Sequence, residues 1–188
     1  YAFVGHYLDG KDAAFVSGDI GRLYWGKVKS LCRNVLYIKP RTLLMLDTSV
    51  PAEKDAEITL LYQTLRLGDI TPSDTISKIT KDGNTLSILH INPLKPEVKT
   101  EETPHYLYTL RNEKPLVKEG MLEVTAKTSG KPLVMANILT TLPADESSLG
   151  ITRNGSAVSG KMQETAFAFT TSPGSVYSAH GIETDAAA

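Results

Sequence analysis

The residues best suited to chemistry in this sequence are basic and aromatic side chains near its N-terminal end. Between Ile20 and Leu46 there are six basic residues and no acidic one, and Tyr24 and Trp25 lie inside the same stretch. Guanidinium and ammonium groups bind carboxylates and sulfates, and aromatic rings stack on pyranose faces. This combination suits an anionic sugar. The candidate substrate-binding residues are Arg22, Tyr24, Trp25, Lys27, Lys29 and Arg41.

The same charges have a second explanation, which the sequence leaves open. Lysines on an exposed strand discourage edge-to-edge association with other chains, so a solvated sheet edge would carry them without any ligand. Asp47 directly follows the apolar run Leu43–Leu46. An acid at the end of such a strand usually bonds to the backbone or to a nearby arginine, and we expect Asp47 to be structural.

Other patterns typical of catalysis or metal binding are absent from the sequence. The histidines at positions 6, 90, 105 and 180 lack metal-ligand spacing, although His90 and His105 could meet across a sheet. The glycines of Ser17–Gly21 are followed by no Lys-Ser/Thr pair, which favours a turn over a phosphate cradle. No nucleophile elbow or glycosidase carboxylate pair is identifiable. The sequence predicts no catalytic residue, no metal site and no cofactor.

The elements that must position these residues are predicted to be β-strands. Short runs rich in Val, Ile, Tyr, Phe and Thr alternate with Gly, Pro, Asn and Asp. The runs are Ala13–Val16, Arg22–Val28, Asn34–Lys39, Thr42–Val50, Glu57–Leu67, Thr75–Thr80, Thr85–Ile91, Tyr106–Leu110, Met121–Lys127, Leu133–Thr141, Leu149–Arg153 and Glu164–Thr171. About a dozen strands at this spacing predict an all-β fold, a large antiparallel β-sandwich forming one domain over residues 1–188.

One segment is ambiguous between helix and strand. Apolar residues in Lys27–Leu36 recur at helical spacing, but the run continues through Ile38 with both parities apolar, and Pro40 then interrupts it. Two strands with both faces buried, near the middle of the sandwich, fit this pattern better. We expect Pro93–Pro104, rich in proline and charge, to be a loop or an edge crossing.

Composition narrows the classes of partner. The formal net charge of −1 gives no general attraction to nucleic acid or to an anionic membrane, and no apolar run is long enough to span a bilayer. The single cysteine, Cys32, excludes an intrachain disulfide. Because the sequence starts inside an apparent strand without an initiator methionine, we expect it to be a processed or excised piece of a longer chain.

A family resemblance rests on three parts of the sequence. Gly18-Asp19 through Tyr24-Trp25, then Arg33 through Asp47, with a later strand at Leu133–Pro143, resembles the C-terminal β-sandwich region of heparinase II/III-like polysaccharide lyases. In that pattern an arginine begins a strand ending in Lys-Pro, and a second apolar strand ends in aspartate. Arg33 and Asp47 match these positions, and the resemblance implies that they hold the hairpin.

The resemblance implies a lyase that cleaves a uronate-containing acidic polysaccharide, such as a glycosaminoglycan, by β-elimination. It also implies an N-terminal α/α toroid that supplies the catalytic Asn, Tyr and His groups, so this region would be non-catalytic. A periplasmic or secreted bacterial location follows from the resemblance alone. Two alternatives stay open: a carbohydrate-binding sandwich and a structural surface domain, neither with lyase activity. Helical repeats upstream would favour the lyase.

Overall fold

The computed structural model describes residues 2–92, 94–106, 116–128, 130–145, 150–154, 157–162, 165–170, 177–179 and 182–184. Within these residues the chain forms strands and two short 3-10 helices, at Gly21–Tyr24 and Leu67–Asp69. None of the helices in this part of the chain could span a membrane. The strands are β1 (Phe3–Asp9), β2 (Ala13–Asp19), β3 (Val28–Ile38), β4 (Thr42–Pro51), β5 (Glu57–Thr64), β6 (Ile70–Thr71), β7 (Ile76–Lys81), β8 (Asn84–His90), β9 (Glu97–Tyr106), β10 (Leu116–Lys127), β11 (Leu133–Thr140), β12 (Thr152–Asn154), β13 (Ala157–Met162), β14 (Thr165–Thr170), β15 (Tyr177–Ala179) and β16 (Ile182–Thr184).

The strands form antiparallel sheets, which confirms the predicted all-β class. The largest sheet has the order β1-β2-β3-β4-β11-β8-β7-β6. A three-stranded sheet, β5-β10-β9, packs against it, and a further three-stranded sheet has the order β12-β13-β14. Strands β15 and β16 pair with each other. The fold is a β-sandwich built around the large sheet.

Strand β11 shows how the layers meet. Leu133 and Met135 belong to one buried cluster with Leu122 of β10, whereas Ile138 belongs to a second cluster with Val158 of β13. Because successive side chains of a strand point to opposite faces, β11 is covered on both sides. The large sheet is therefore the middle layer at this point, which explains apolar runs in which neighbouring residues are all buried.

The predicted strand at Arg22–Val28 is wrong. Gly21 begins a 3-10 helix, and its amide donates to Asp19 Oδ1 over 2.8 Å. A Cβ at position 21 would lie 2.9 Å from the Leu31 nitrogen, so the turn requires glycine. Trp25 and Gly26 then adopt positive φ angles of 49° and 81°, which a strand does not allow. Residues 20–27 are the β2–β3 loop, and the local aromatic content gave the wrong assignment.

The ambiguous segment that follows this loop is a strand, as expected. Most of Lys27–Leu36 lies in β3, which pairs with β4 along its length apart from a bulge between Val28 and Ser30. The Pro-rich segment contains β9, an edge strand of its sheet, where a proline costs no ladder hydrogen bond. Of the strand predicted at Tyr106–Leu110, residues 107–110 lie outside the described residues.

Candidate functional site

The β2–β3 loop carries four of the six candidate residues, Arg22, Tyr24, Trp25 and Lys27, on exposed positions. Arg22 lies over the ring of Phe3, with its Cζ 5.3 Å from the ring centroid, a cation–π contact. Trp25 is 94% exposed, so its ring is free to stack on a ligand. Tyr24 is also exposed. Lys29 follows in β3, exposed at the bulge.

Tyr24 and Lys27 line a groove between the two packed sheets, which we call the inter-sheet groove. It has a volume of about 610 Å³, within the range of small-molecule sites. Its apolar lining comes from β3, β4 and β5. The lining residues are Tyr24, Lys27, Val28, Leu31, Arg33, Asp47, Pro51, Glu53, Asp55, Ala56, Glu57, Ile58, Thr59, Leu60 and Leu61.

The charges around the inter-sheet groove are predominantly negative. Its described lining includes two cations, Lys27 and Arg33, but four carboxylates, which are Asp47, Glu53, Asp55 and Glu57. Arg33 is paired with Asp47 and Glu57 with Lys127, so Lys27 faces the two remaining carboxylates of the lining, Glu53 and Asp55. A ligand carrying carboxylate or sulfate would meet repulsion here. The groove suits an apolar or neutral ligand better than an anionic one.

Arg33 and Asp47 form a two-pronged ion pair across the β3–β4 ladder. Arg33 Nε donates to Asp47 Oδ1 over 2.7 Å, and Nη2 donates to Oδ2 over 2.8 Å. The Asp47 side chain is 2% exposed and that of Arg33 is 39% exposed. The hydrogen bond to Asp47 raises the pKa of Arg33. Burial, together with the Asp47 charge, raises the pKa of the nearby Tyr62 hydroxyl. The ion pair stabilises the β3–β4 hairpin.

Arg41 lies far from the other candidates. It follows β3, whereas Lys27 precedes it, and β3 has eleven residues. At about 3.3 Å per residue the two ends are separated by more than about 30 Å. The six candidates therefore do not form one binding surface for a single sugar.

Arg41 lines a second groove, which we call the Arg41 groove. It has a volume of about 920 Å³ and lies between the β7–β8 hairpin and residues 141–145. The described lining residues are Arg41, Lys78, Gly83, Asn84, Thr85, Ser87, Thr141, Leu142, Pro143, Ala144 and Asp145. Sequence reasoning missed Lys78 and the polar residues of this hairpin. The runs Thr75–Thr80 and Thr85–Ile91 predicted the two strands of the hairpin, but no sequence signal indicated that it would lie beside Arg41.

A Ser–His–Asn arrangement is present in the core but is closed to substrates. Ser77 Oγ lies 2.9 Å from His90 Nε2, and His90 Nδ1 lies 2.8 Å from Asn137 Oδ1. Ser77 and Asn137 are 0% exposed and His90 is 2% exposed. Burial lowers the pKa of His90. A nucleophile must touch its substrate, so this network is structural.

The two histidines that the sequence suggested could meet across one sheet lie in different sheets. His90 lies in β8 of the large sheet, whereas His105 lies in β9 of a three-stranded sheet, where it pairs with position 117. Among the residues that the structure describes, no three His, Cys, Asp or Glu side chains are grouped so that they could hold a metal ion.

Comparison with known proteins shows a shared fold. No protein-family model and no curated protein matches the sequence. Among solved structures, heparan sulfate lyase HepC from Pedobacter heparinus matches with a TM-score of 0.64 at 13% identity, over 90% of this chain and 28% of that one. A structure of heparinase III matches with a TM-score of 0.66 at 7% identity, over 89% of this chain and 27% of that one. A further heparinase III gene product matches with a TM-score of 0.62 at 11% identity, over 90% of this chain and 27% of that one.

The predicted resemblance to heparinase-type lyases is therefore confirmed for the fold. The identities of 7–13% establish architecture alone. This chain spans little more than a quarter of the length of those lyases.

Proposed function

We propose that this chain is the non-catalytic β-sandwich domain of a heparinase II/III-like polysaccharide lyase. The lyase would act by β-elimination on an acidic, uronate-containing polysaccharide. The observation that carries the proposal is the match of about 90% of the chain to heparan sulfate lyase and heparinase III structures. The sequence features of the β3–β4 hairpin, Arg33 and Asp47 in particular, support the same assignment.

The catalytic groups would come from elsewhere in the protein. β-Elimination needs a base to remove a proton beside the uronate carboxylate and a group that stabilises the resulting charge. Among the described residues, His90 is buried in the core and cannot reach a substrate. Its burial supports a non-catalytic role for the domain. The partner supplying the reacting groups would be an α/α toroid of the same protein.

A lyase assay on two proteins tests the proposal. We expect the full-length protein to release unsaturated uronate products, detected by ultraviolet absorbance, from at least one of heparan sulfate, heparin, alginate and chondroitin. The isolated chain should release none. Turnover by the isolated chain would show that it contains the reacting groups. A full-length protein that is folded but inactive on all four would contradict the lyase assignment.

A second candidate is a carbohydrate-binding or structural sandwich without lyase activity. The specific observation in its favour is that the matched region is only 27–28% of each lyase, so the similarity does not extend to the rest of those lyases. A full-length protein that retains acidic glycan without cleaving it would favour a binding domain. Absence of both activities would favour a structural one.

The proposed lyase also requires export, because acidic polysaccharides of this kind lie outside the cytoplasm. We therefore propose a periplasmic or secreted location. Cell fractionation that found the full-length protein in the cytoplasm would contradict it.

A further inference from the structure

The Arg41 groove lies on a row of residues in register across four strands. Thr42 of β4 pairs with Thr140 of β11, Thr140 pairs with Ser87 of β8, and Ser87 pairs with Lys78 of β7. Adjacent strands are about 4.8 Å apart, so the ends of this row are separated by about 14 Å. Arg41 directly precedes Thr42. The two cations of the groove therefore flank it from opposite sides.

Polar groups line the space between the two cations. Ser87 contributes a largely buried hydroxyl, and Asn84, Thr85 and Thr141 contribute an amide and two further hydroxyls. These groups can both donate and accept hydrogen bonds, as the hydroxyls of a sugar require. Leu142 and Pro143 supply an apolar wall. A cavity of about 920 Å³ is large enough for a small ligand or a short stretch of a polymer.

The charge balance distinguishes the Arg41 groove from the inter-sheet groove. Its described lining has two cations, Arg41 and Lys78, and one carboxylate, Asp145. The inter-sheet groove has two cations and four carboxylates. Elsewhere in the basic stretch, Arg33 is paired with Asp47 and Lys39 with Asp9. No ion pair within the described residues involves Arg41 or Lys78.

We propose that the Arg41 groove binds an anionic sugar unit, a uronate or a sulfated residue, of the polysaccharide. Arg41 would hold a carboxylate or sulfate through two parallel N–H donors. Lys78 would meet a second negative group, and the hydroxyl and amide groups between them would bind sugar hydroxyls. The proposal deepens the proposed function and rests on it, and it assigns the anion to this groove rather than to the groove beside Tyr24 and Lys27.

Two double variants with the same change of charge test this assignment. Arg41→Gln/Lys78→Gln removes both cations of the Arg41 groove, and Lys27→Gln/Lys29→Gln removes two cations at the other end of β3. Binding of a size-defined heparan sulfate oligosaccharide to the full-length protein would be measured by calorimetry at low and physiological salt. We expect the first variant to weaken binding at low salt by about tenfold or more, and the second by less than about twofold. The difference should shrink as salt rises.

Additional variants separate geometry from charge and folding. Arg41→Lys keeps the charge but loses the two-donor geometry, so it should weaken binding by an intermediate factor. Unchanged circular dichroism and melting temperature would show that all variants are folded.

Equal losses of binding affinity in the two double variants would show a diffuse charge effect and overturn the assignment. Unchanged affinity in the Arg41→Gln/Lys78→Gln variant would overturn it while leaving lyase activity, and hence the proposed function, intact. A wild-type protein that binds no acidic oligosaccharide and cleaves none would overturn both.

Discussion

His90 is a titratable side chain inside an apolar core, and both of its ring nitrogens have partners. Nδ1 lies 2.8 Å from Asn137 Oδ1, an acceptor, and Nε2 lies 2.9 Å from Ser77 Oγ. The network joins β7, β8 and β11, which are neighbours in the large sheet. A slip of these strands would separate the buried His90, Ser77 and Asn137 atoms from one another, and leaving buried polar atoms without partners costs free energy. His90 therefore helps to fix the register of these strands.

Protonation of His90 should destabilise the fold. Burial holds its pKa below the ordinary value, against the smaller opposing effects of Asn137 and the Asp74 carboxylate. The unfolded chain, whose histidine has a pKa of about 6.5, therefore binds more protons than the folded one. The stabilising contribution is complete above that pH and is lost as the pH falls toward the lower folded pKa. We expect the free energy of unfolding to decrease from about pH 7 to about pH 5.

Urea unfolding as a function of pH measures this effect. His90→Gln should flatten the slope of the unfolding free energy against pH, although it lowers stability at neutral pH. His6→Gln is the matched control, because it makes the same side-chain change at an exposed position on β1, outside this network. Identical slopes in wild type and the His90→Gln variant would contradict the role of His90.

The Arg33–Asp47 pair should show strong coupling in a double-mutant cycle. Arg33→Gln leaves the 2%-exposed Asp47 carboxylate without its guanidinium partner. We expect a loss of about 2 kcal/mol, less than the 3–5 kcal/mol of a fully buried pair because Arg33 is 39% exposed. Arg33→Gln/Asp47→Asn should cost less than Arg33→Gln alone, because no buried charge remains. Chemical denaturation measures the free energy of unfolding of both variants. Lys39→Gln, which breaks the exposed pair between Lys39 and Asp9, is the control. Additive losses would show that the pair is not coupled.

Strands were predictable from the sequence where local pattern and tertiary environment agree. Alternation placed β10 well, because one of its faces is buried and the other is solvated. The continuous apolar runs of β4 and β11 also read as strands, since both faces of the middle layer are covered. The strand prediction for residues 22–28 was wrong because the Asp19–Gly21 turn and the positive φ angles of Trp25 and Gly26 outweigh β-propensity there. Strands β6, β9, β13, β15 and β16 were missed. Most of β9 had been expected to be a loop or an edge crossing, and β6, β15 and β16 have only two or three residues.

The candidate site was only partly predictable, and the reason is distance along the chain. Residues close in sequence, such as Lys27 and Arg41, were grouped together, but an extended strand places them at opposite ends. Lys78 lies 37 positions after Arg41 in the sequence. It lines the same groove because its strand, β7, lies only two strands away from β4 in the sheet, in the order β4-β11-β8-β7. Strand order depends on pairing between residues far apart in the chain, which the local patterns of one sequence do not reveal.

At the scale of the whole molecule, the large sheet links the other layers. One buried cluster joins it to the β5-β10-β9 sheet, and a second joins it to β13 of the β12-β13-β14 sheet. If either of the smaller sheets separated from the large sheet, buried side chains on one face of β11 would become exposed to solvent. The two clusters should therefore unfold together, as the prediction of a single domain requires.

This prediction can be tested by weakening one cluster at a time. Leu122→Ala acts on the first cluster and should cost about 3 kcal/mol, and Val158→Ala acts on the second and should cost about 2 kcal/mol; both side chains are fully buried. In a chain of this size, 1 kcal/mol shifts the melting temperature by roughly 2–4 °C. If the chain is one cooperative unit, each variant should shift a single calorimetric transition downward, with far-UV and near-UV circular dichroism changing together. Leu61→Ala, at an exposed position, should leave that transition in place. A separate low-temperature transition that appears only in the Val158→Ala variant would show that the β12-β13-β14 sheet is an independent unit, and the chain would then contain two domains.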